Sequence, residues 1–508
     1  MPDGATERKL AEELGGIRPD LVDAYLAALP GARAAVLARL WRGLVHEPLP
    51  WVEKRVPTRD GISLLLADGR LLHGPASDPW ATGTTVAHLE LDGRRFDRPA
   101  RLLTELGVPG GRRFADELDH SVASMALSRT APRPGGPPAS PWGWEQRSPD
   151  GHPYHPACRS RPGFSAAEQL AYAPEHRPVV ALRLAPVADA MVRGRWPAEL
   201  RDGGLALIPV HPWQAEHTLA GRPLRPGPNA HPLLSLRTLD LGGNLGGNLG
   251  GSLGGNLHVK TALSVQLTSA VRDISAYSVE HALTTSELVE RAAERLDGRL
   301  HIARTLAAAG NGTPDLAAML RQSPYAYAEA GEQVVPVAEL PGYFAPLPPD
   351  ERRERIAEFA RLAVTVCLDL LDLGVALEAH GQNLLAVLDR RGRARRLVYR
   401  DLADIRISPT RVARHGLRPP STGRLLDDDP ARLRRKVLGC LLTGALGPLA
   451  GSAPALGTVL RAATQDLPAG PDLHALLNHP LPAKALTLMR LAPGADHWAQ
   501  LPNPALHC

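Results

Sequence analysis

The motif Glu378-Ala379-His380-Gly381-Gln382-Asn383 is followed about twenty positions later by Arg400-Asp401. Between the two motifs, apolar runs at residues 384–388 and 397–399 flank a polar turn that contains Gly392. Two apolar runs around a polar turn with glycine predict a β-hairpin. If the turn centres near Arg391, pairing brings Asn383 opposite Arg400, and Asn383 and Asp401 become cross-strand neighbours.

One end of this predicted hairpin would collect polar side chains. They are Glu378, His380, Gln382, Asn383 and Asp401. A cluster of carboxylate and amide oxygens is what Mg²⁺ on a nucleotide phosphate requires. Considered alone, the segment leaves open a simpler interpretation, in which the hairpin presents a polar end to solvent.

Composition narrows the functional classes. A chain of 508 residues is long enough for two to four domains, and its hydrophobic content of 44% and charged content of 22% are ordinary for a globular enzyme. The net charge of +5 is scattered, so no basic tail indicates a nucleic-acid partner. Arginine greatly outnumbers lysine, which makes each lysine worth attention. The lysines are Lys9, Lys54, Lys260, Lys436 and Lys484.

The sequence predicts a cytoplasmic protein without a membrane partner. Its first residues contain no apolar segment typical of a secretory signal, and no apolar run approaches the roughly 20 residues that span a bilayer. The four cysteines form no CxxC pair, which indicates reduced thiols rather than a disulfide frame or a zinc site.

Apolar periodicity predicts helices over residues 7–48, 114–127 and 351–373, with Gly374 as a C-terminal stop. Short strands are expected over residues 50–95 and a strand-rich region to about residue 285. Residues 132–141, rich in Pro, Gly and Ser, are the best linker candidate. The Leu-Gly-Gly-Asn repeat at residues 241–256 is too short for a solenoid and lacks the ending of a P-loop. It predicts a flexible loop.

A proline-rich cationic loop is the second constellation. Its sequence is Gly151-His152-Pro153-Tyr154-His155-Pro156-Ala157-Cys158-Arg159-Ser160-Arg161. Each proline favours extended backbone at the residue before it, and arginine gives bidentate contacts to carboxylate or phosphate. The loop therefore suits a polyanionic ligand. Two histidines three residues apart could also bind a metal, although no third ligand is evident.

The third constellation runs from Lys260 to Arg272. Apolar and polar residues alternate from Val259 to Thr268, which predicts a half-buried strand with Lys260 and Thr268 on one face. On a straight strand these two side chains would lie about 26 Å apart. Either they reach different parts of an extended ligand, or the strand bends. The simpler alternative is an ordinary strand whose polar residues face water.

Together and in this order, these motifs resemble the IucA/IucC family of siderophore synthetases that act independently of nonribosomal peptide synthetases. The matching segments are the His-Pro loop at residues 152–165, the strand and turn from Lys260 to Arg272, the Glu378–Asn383 motif, and Arg400-Asp401. Tyr172-Ala173-Pro174-Glu175, His211-Pro212-Trp213-Gln214, residues 484–491 and Asn503-Pro504 also look like the family.

The resemblance implies an α+β fold shaped like a cupped hand. Residues 1–140 would form a thumb, residues 141–350 β-rich ATP-binding fingers that carry the repeat, and residues 351–508 a largely helical palm with the carboxylate and Mg-ATP site. It also implies an ATP-dependent ligase, in which a carboxylate attacks the α-phosphate and an amine or hydroxyl then displaces AMP. The substrates would be small molecules and the enzyme a homodimer.

Carried over by position, the resemblance implies roles for individual residues. Arg272, His155 and His380 would be catalytic. Nucleotide contacts would come from Lys260, Thr268, Ser269, Arg272, His152, His155, Arg161, Gln382, Asn383 and Asp401. His380, Gln382, Arg272 and Arg159 would face the carboxylate substrate, and Glu378, Asn383 and Asp401 would hold Mg²⁺. Arg159 departs from the family's usual lysine, which keeps the charge and changes its geometry.

Two other functions are consistent with parts of the sequence. Histidine, Asn383 and a downstream aspartate loosely resemble a kinase catalytic loop, although no glycine-rich nucleotide loop occurs near the start. A catalytically silent binding protein is the other alternative. The sequence does not identify the acid, whether citrate, a citrate monoamide, 2-oxoglutarate or a succinyl-hydroxamate, nor the amine or alcohol.

Overall fold

The computed structural model describes residues 4–132, 135–242, 257–268, 270–420 and 423–506. Ser269 and the repeat residues 243–256 therefore lie outside the described part of the chain. The predicted α+β class is confirmed. The helices are α1 Ala5–Ile17, α2 Val22–His46, α3 Pro99–Leu106, α4 Gly111–Arg129, α5 Ala166–Tyr172, α6 Pro212–His217, α7 Ala276–Ala293, α8 Leu340–Phe344, α9 Pro349–Asp372, α10 Pro409–Arg414, α11 Pro430–Leu441, α12 Gly447–Ala450, α13 Ala453–Thr464, α14 Pro471–Asn478 and α15 Leu486–Leu491.

The strands form one large sheet and several small ones. They are β1 Val52–Pro57, β2 Ile62–Leu66, β3 Leu71–Gly74, β4 Leu89–Leu91, β5 Arg94–Phe96, β6 Val180–Val187, β7 Met191–Gly194, β8 Arg201–Asp202, β9 Leu205–Val210, β10 Arg225–Pro232, β11 Thr238–Asp240, β12 Leu257–Thr261, β13 Leu263–Leu267, β14 Ala270–Arg272, β15 Leu300–Ile302, β16 Thr305–Gly310, β17 Ala317–Gln322, β18 Gln333–Pro336, β19 Val375–Ala376, β20 Leu384–Leu388, β21 Ala394–Tyr399, β22 Arg406–Ile407, β23 Leu481–Lys484 and β24 Trp498–Leu501.

The N-terminal part packs helices against a five-stranded meander of β1 to β5. The helical prediction for residues 7–48 is confirmed with one interruption, a 3-10 turn at Pro19–Leu21 between α1 and α2. The helical segment Pro19–His46 is long and apolar enough to cross a membrane by composition alone. In this fold the apolar residues of α2, such as Val36 and Leu40, are buried in the N-terminal core with α4.

The central sheet has nine strands in the order β7-β16-β17-β12-β11-β10-β6-β9-β8, and every neighbouring pair is antiparallel. Strand β12 lies in the middle, and all its residues are buried. Because side chains alternate along a strand, Lys260 shares a face with His258. Arg321 of β17 pairs opposite His258, so all three side chains emerge on one face of the sheet.

The prediction of one continuous strand through Lys260 and Thr268 is wrong, and the alternative of a bend is correct. The chain leaves the central sheet at Ala262, and β13 pairs instead with β14 as a separate hairpin. The physical reason is a side chain: the Gln214 carboxamide accepts a hydrogen bond from the Ser264 amide at 2.7 Å and donates to the Ser264 hydroxyl at 2.9 Å. These bonds take the place of a neighbouring strand.

The C-terminal part contains the predicted long helix, α9, followed by Gly374 with a φ of 95°. The predicted hairpin is also confirmed, because β20 and β21 pair antiparallel with Leu384 opposite Tyr399. They belong to the four-stranded sheet β15-β21-β20-β18. The hydrophobic core around this sheet also contains Leu288 of α7, whereas Leu491 near the C-terminus packs in the N-terminal core. The three domain boundaries stay a prediction.

The repeat joins two adjacent antiparallel strands, β11 and β12, and its first residue belongs to the fold. Leu241 is fully buried, and its amide donates to the Leu257 carbonyl at 2.9 Å. The prediction of a flexible loop over residues 241–256 is therefore wrong for Leu241.

We expect that replacing residues 243–256 with a two-residue Asn-Gly turn preserves the fold. The strand ends are already adjacent, and shortening a loop changes closure entropy by only about 0.6 kcal/mol per halving of its length. Thermal denaturation should therefore show an equal or slightly higher melting temperature. Loss of ATP binding at an unchanged melting temperature would contradict the assignment of the repeat as a plain connection.

Candidate active site

The hairpin end has the predicted register. The Arg400 amide donates to the Asn383 carbonyl at 3.0 Å, so these residues face each other just beyond β20 and β21. The Arg400 side chain does not face a ligand. Its guanidinium is buried in a bidentate contact with Glu145, at 2.7 and 2.6 Å, and also donates to the Gln382 carbonyl. Arg400 therefore ties the hairpin to the segment before the His-Pro loop.

Asp401 follows with a φ of 71°, a left-handed conformation that is uncommon outside glycine. Its carboxylate accepts hydrogen bonds from Lys260 Nζ at 2.8 and 2.6 Å and from Arg321 at 3.0 Å. Burial alone would raise the pKa of this carboxyl, but the charges of Arg321 and Lys260 hold it well below its usual range. The central sheet and the hairpin thus meet at an ion cluster on Asp401.

Glu378 lies in a second ion cluster. Lys436 and Lys484 both donate to its Oε1, at 2.9 and 2.8 Å. Burial would raise the pKa of Glu378, yet Lys484, His380 and Lys436 lower it to about 2. With two ammonium groups on one carboxylate, this cluster carries a surplus positive charge.

Close packing requires glycine at position 381, between Glu378 and Asn383. The Gly381 amide donates to the Gly444 carbonyl at 2.7 Å, and a Cβ on Gly381 would lie 2.9 Å from that oxygen. Gly444 lies in a π-helical segment, Leu442–Leu446, that follows α11. Such segments are frequent at functional sites, and this one fixes the backbone next to His380.

The three predicted site histidines share one local geometry. Nδ1 accepts a hydrogen bond from the amide two residues later, at 3.2 Å for His152, 3.0 Å for His155 and 3.3 Å for His380. An accepting Nδ1 places the ring proton on Nε2 in the neutral tautomer. Burial lowers the pKa of all three, for His155 to about 3. Each ring is thus a neutral Nε2–H donor, and His155 Nε2 is buried without a partner among the described residues.

Arg159 and Arg161 are buried rather than exposed to a ligand. Both contact Glu175, Arg159 at 3.5 Å and Arg161 at 2.9 Å, and Arg159 also donates to the Ser148 and Pro149 carbonyls. In this arrangement the two guanidiniums hold the His-Pro loop in shape. Their predicted contacts with nucleotide and substrate stay predictions.

The β13–β14 hairpin carries the other predicted residues. Thr268 has a φ of 61°, and it bonds the Ser160 and Cys158 carbonyls, which joins this hairpin to the His-Pro loop. Arg272 donates to the Leu267 carbonyl at 2.9 Å and forms no ion pair in the described part of the chain. Asp401, Asp404 and Glu378 are near enough to raise its pKa, although burial lowers it further. Ser269 lies outside the described residues.

Charged groups from several of these segments are near enough to shift the pKa values of the same side chains. Arg272 and Lys484 both contribute to the low pKa of His155, and His380 contributes to that of His152. Lys260 belongs to the same region through Asp401, which also acts on His380 and Arg272. The site therefore combines the central sheet, the His-Pro loop, the hairpin end and α11.

Several residues of this site were not assigned a role from the sequence. Lys436 and Lys484 hold Glu378, Arg321 holds Asp401, and Glu145 holds Arg400. The scarcity of lysine was the available signal, because three of the five lysines of the chain, Lys260, Lys436 and Lys484, lie in this site. Nothing in the sequence around Glu145 or Arg321 distinguished them from other charged residues.

Known proteins resemble this chain in sequence and in fold. Residues 141–341 match the sequence profile of the IucA / IucC family, and residues 356–497 match that of the ferric iron reductase FhuF-like transporters. The resemblance to the IucA/IucC family is confirmed. An uncharacterized protein of Sinorhizobium fredii, y4xN, is 26% identical over 546 aligned positions, which cover 88% of this chain and 81% of that protein.

Solved structures share the fold at low sequence identity. The petrobactin biosynthesis protein AsbB from Bacillus anthracis matches with a TM-score of 0.76 at 18% identity, over 95% of this chain and 98% of that chain. The ATP-bound aerobactin synthetase IucA from Klebsiella pneumoniae matches with a TM-score of 0.70 at 16% identity, over 93% of this chain and 99% of that chain. These similarities establish the IucA/IucC type of fold.

The oxygen donors at the hairpin end fit Mg²⁺ by their chemistry. Asn383 is buried and donates through Nδ2 to the Glu378 carbonyl at 3.5 Å, which leaves its carbonyl oxygen as an acceptor. The carboxylates of Glu378 and Asp401 are the other candidate ligands, and both are held by the cations described above. Glu378, Asn383 and Asp401 would hold the ion.

We expect Glu378→Gln to change the acid sensitivity of the fold. A carboxyl with a lowered pKa stabilises the folded state above its unfolded pKa of about 4.5, and this stabilisation is lost as the pH falls towards about 2. Melting temperatures should therefore fall more steeply between pH 4.5 and 2 in the wild type than in the variant. At pH 7 the variant should be less stable by about 3 kcal/mol, because two lysines lose their partner.

Glu199→Gln, at an exposed position, serves as the control and should follow the wild-type curve. Parallel curves for wild type and Glu378→Gln would contradict the ion cluster.

Proposed function

We propose that this protein is an ATP-dependent siderophore synthetase. It activates a carboxylic acid, citrate or a citrate or succinyl derivative, as an acyl-adenylate and condenses it with an amine or hydroxyl. The observation that carries the proposal is the convergence of Arg272, Lys260 and the neutral donor His155 beside the Glu378–Asn383 motif, in a chain with an IucA/IucC profile.

The chemistry divides into two steps. A substrate carboxylate oxygen attacks the α-phosphorus of ATP, the bond to the β-phosphate oxygen breaks, and pyrophosphate leaves. The lone pair of an amine or hydroxyl then attacks the acyl carbon, AMP leaves with the bonding electrons, and the nucleophile loses a proton. Neither step requires a nucleophile from the protein, so binding, orientation and charge stabilisation are the tasks of the side chains.

The site supplies two kinds of positive electrostatic contact. Arg272 is a guanidinium without an ion-pair partner among the described residues, so it is available to an anionic oxygen. His155 and His380 present neutral Nε2–H groups that donate hydrogen bonds without bringing a full charge. Preorganised donors of both kinds stabilise charge that develops on phosphate oxygens in the transition state.

The ion clusters allow phosphates to enter without leaving charges buried alone. Lys260 and Arg321 share the carboxylate of Asp401, and Lys436 and Lys484 share that of Glu378. Bound phosphates would attract these cations and release carboxylate oxygens towards Mg²⁺. A bound Mg²⁺ would neutralise phosphate charge and orient the triphosphate. Glu378, Asn383 and Asp401 are the residues we assign to it.

The FhuF-like profile does not by itself favour a reductase. Iron–sulfur clusters are held by cysteine thiolates, usually four. The described cysteines within that segment are Cys367 and Cys440, both buried, and burial raises their pKa to about 12 and about 11. Two buried, neutral thiols do not supply the ligand set of such a cluster.

Product analysis separates the remaining alternatives. A phosphotransferase releases ADP, whereas the proposed ligase releases AMP and pyrophosphate. A silent binding protein would turn over no ATP, and calorimetric titration with Mg-ATP would then show whether it binds the nucleotide at all. Pyrophosphate release across a panel of carboxylic acids identifies the substrate. A homodimer with small-molecule substrates stays a prediction from the family resemblance, and a cytoplasmic protein without membrane or nucleic-acid partners stays a prediction from the sequence.

Arg272→Ala should reduce carboxylate-dependent pyrophosphate release about a hundredfold or more. Loss of one preorganised cation at a developing charge typically costs about 3 kcal/mol. The half-buried side chain makes one backbone hydrogen bond, so the melting temperature should change little. Arg59→Ala, in an exposed turn of the N-terminal meander, is the matched control. Near-normal turnover of Arg272→Ala would remove this residue from the site.

Asp401→Asn should raise the Mg²⁺ concentration needed for half-maximal rate, by about tenfold at fixed ATP if one charged ligand is lost. The ion pairs with Lys260 and Arg321 also predict a lower melting temperature. The magnesium dependence is the discriminating measurement. A lower melting temperature with unchanged magnesium dependence would make Asp401 a structural residue only.

A further inference from the structure

The turn between β20 and β21 carries a dense group of arginines at the end of the hairpin that is remote from the active site. Five of the seven residues 390–396 are arginine. A surface cavity of about 280 Å³, here called the arginine-turn cavity, is lined by Ala330, Gly331, Glu332, Asp389, Arg390, Arg391, Arg393 and Arg395. At about 3.3 Å per residue, the chain from Asn383 to Asp389 separates this cavity from the active site by roughly 20 Å. The proposed reaction assigns nothing to it.

The backbone of this turn is held by its own hydrogen bonds and by α9. Asp389 Oδ1 accepts hydrogen bonds from the amides of Arg391 and Arg393 at 2.8 and 3.0 Å, and the Asp389 amide donates to the Arg393 carbonyl at 3.0 Å. From α9, the buried Arg355 donates through Nε to the Arg391 carbonyl at 3.2 Å. The arginines of the turn therefore project from a fixed backbone, and a ligand need not order the turn before it binds them.

The two acidic residues of the cavity already have partners. Glu332 accepts hydrogen bonds from the Arg396 guanidinium at 3.1 and 2.5 Å and from the Glu329 amide at 2.8 Å. Asp389 holds the two turn amides through Oδ1, and its Oδ2 lies 3.0 Å from Arg395 Nε. These carboxylates therefore compensate Arg395 and Arg396 rather than the other arginines of the turn.

The remaining three arginines of the cavity have no carboxylate within hydrogen-bonding distance in the part of the chain that the structure describes. Arg390 and Arg391 are exposed and form no ion pair there. Arg393 lies 3.8 Å from Glu358 and 3.9 Å from Glu354, and its Nε is buried without a hydrogen-bond partner among these residues. Because a buried donor without a partner is costly, an anionic oxygen in the cavity would stabilise this arrangement.

Arg390 packs closely against the segment that precedes β18. A Cβ added to Gly331 would overlap Arg390 Nε, so glycine leaves the room that this guanidinium occupies. Gly331 also has a φ of 90°, a conformation that favours glycine. The hairpin turn and residues 330–332 thus form the two walls of the cavity, and Arg390 lies between them.

We propose that the arginine-turn cavity binds a small polyanion, with two or more phosphate or carboxylate groups, at a site separate from the active site. Guanidinium groups bind both kinds of oxyanion through paired hydrogen bonds. A single exposed ion pair contributes little in water, whereas a ligand with several anionic groups contacts Arg390, Arg391 and Arg393 together. The volume of about 280 Å³ suits a diphosphate or a tricarboxylate better than a polymer. This inference does not depend on the proposed function.

Calorimetric titration of the full-length chain with inorganic pyrophosphate, without Mg²⁺, tests the site. Because the active site also attracts anions, every titration uses Arg272→Ala as the parent. Adding Arg390→Gln and Arg391→Gln should weaken pyrophosphate binding about tenfold or more, the factor expected when two exposed charge contacts are lost together. Arg59→Gln, at an exposed arginine in the turn between β1 and β2, should leave the binding unchanged.

Two further variants keep the charge of the cavity and change its geometry. Arg390→Lys with Arg391→Lys removes the forked donors, and Gly331→Ala displaces Arg390 without removing it. Each should weaken pyrophosphate binding at least about threefold, because guanidinium geometry as well as charge holds the ligand. Weaker binding in either variant supports the site. Parental affinity in both would indicate attraction by diffuse positive charge and would overturn it.

Parallel titrations with citrate and acetate define the ligand class. Tighter binding of pyrophosphate assigns a phosphate ligand, tighter binding of citrate assigns a carboxylate ligand, and acetate bound as tightly as either would overturn the polyanion class. Absence of turn-dependent binding of pyrophosphate and citrate with a Kd below about 1 mM would overturn the site itself. Melting temperatures of the glutamine variants should stay within about 2 °C of the parent, which separates loss of the site from loss of the fold.

Discussion

The ion cluster on Asp401 is the interaction on which the site depends. Lys260 and Arg321 emerge from adjacent strands on one face of the central sheet, and both reach the carboxylate at the end of the hairpin. Loss of Asp401 would leave the buried charges of Lys260 and Arg321 without their shared carboxylate, at a cost of about 3–5 kcal/mol. The cluster therefore holds the sheet against the hairpin and supports the left-handed backbone of Asp401. The buried ion pair of Glu145 and Arg400 fixes the residue before Asp401 in the same way. The hairpin end is therefore joined to the central sheet through Asp401 and to the segment before the His-Pro loop through Arg400.

The histidines show how local sequence prepares a site before the fold is complete. In His152-Pro153 and His155-Pro156, proline favours extended backbone at each histidine, and the ring then accepts the amide two residues later. His380, followed by glycine, reaches the same hydrogen bond. The backbone thus sets the tautomer, and burial keeps the rings neutral. A neutral Nε2–H can approach an anionic oxygen without the desolvation cost of a buried imidazolium, which suits a site that already holds several fixed cations.

The sequence predicted the hairpin, its register and the long helix before it, because period and turn chemistry are local signals. The sequence-based prediction was wrong where a side chain from a distant part of the chain determines the local structure. The strand through Lys260 ends at Ala262 because Gln214, fifty residues away from Ser264, bonds the next segment. The partners of the predicted carboxylates were missed for the same reason: Lys436 lies 58 positions and Lys484 106 positions from Glu378. The order of the motifs located the site. The identity of each ion-pair partner depends on tertiary packing, which the hydrophobic periodicity of the sequence does not indicate.

Charge balance explains why the site can be both stable and ready for polyanions. Asp401 faces two basic side chains and Glu378 faces two more, so basic groups outnumber acidic groups in each cluster. A site with four unpaired cations would be destabilised by mutual repulsion, and one with as many acids as bases would have no net attraction for phosphate. Two acids against four bases avoid both outcomes. Arg272 has no ion-pair partner among the described residues. An incoming anion could therefore bind its guanidinium without breaking an existing ion pair. The acids thus stabilise the arrangement of the basic side chains, and the surplus of bases favours an anionic ligand.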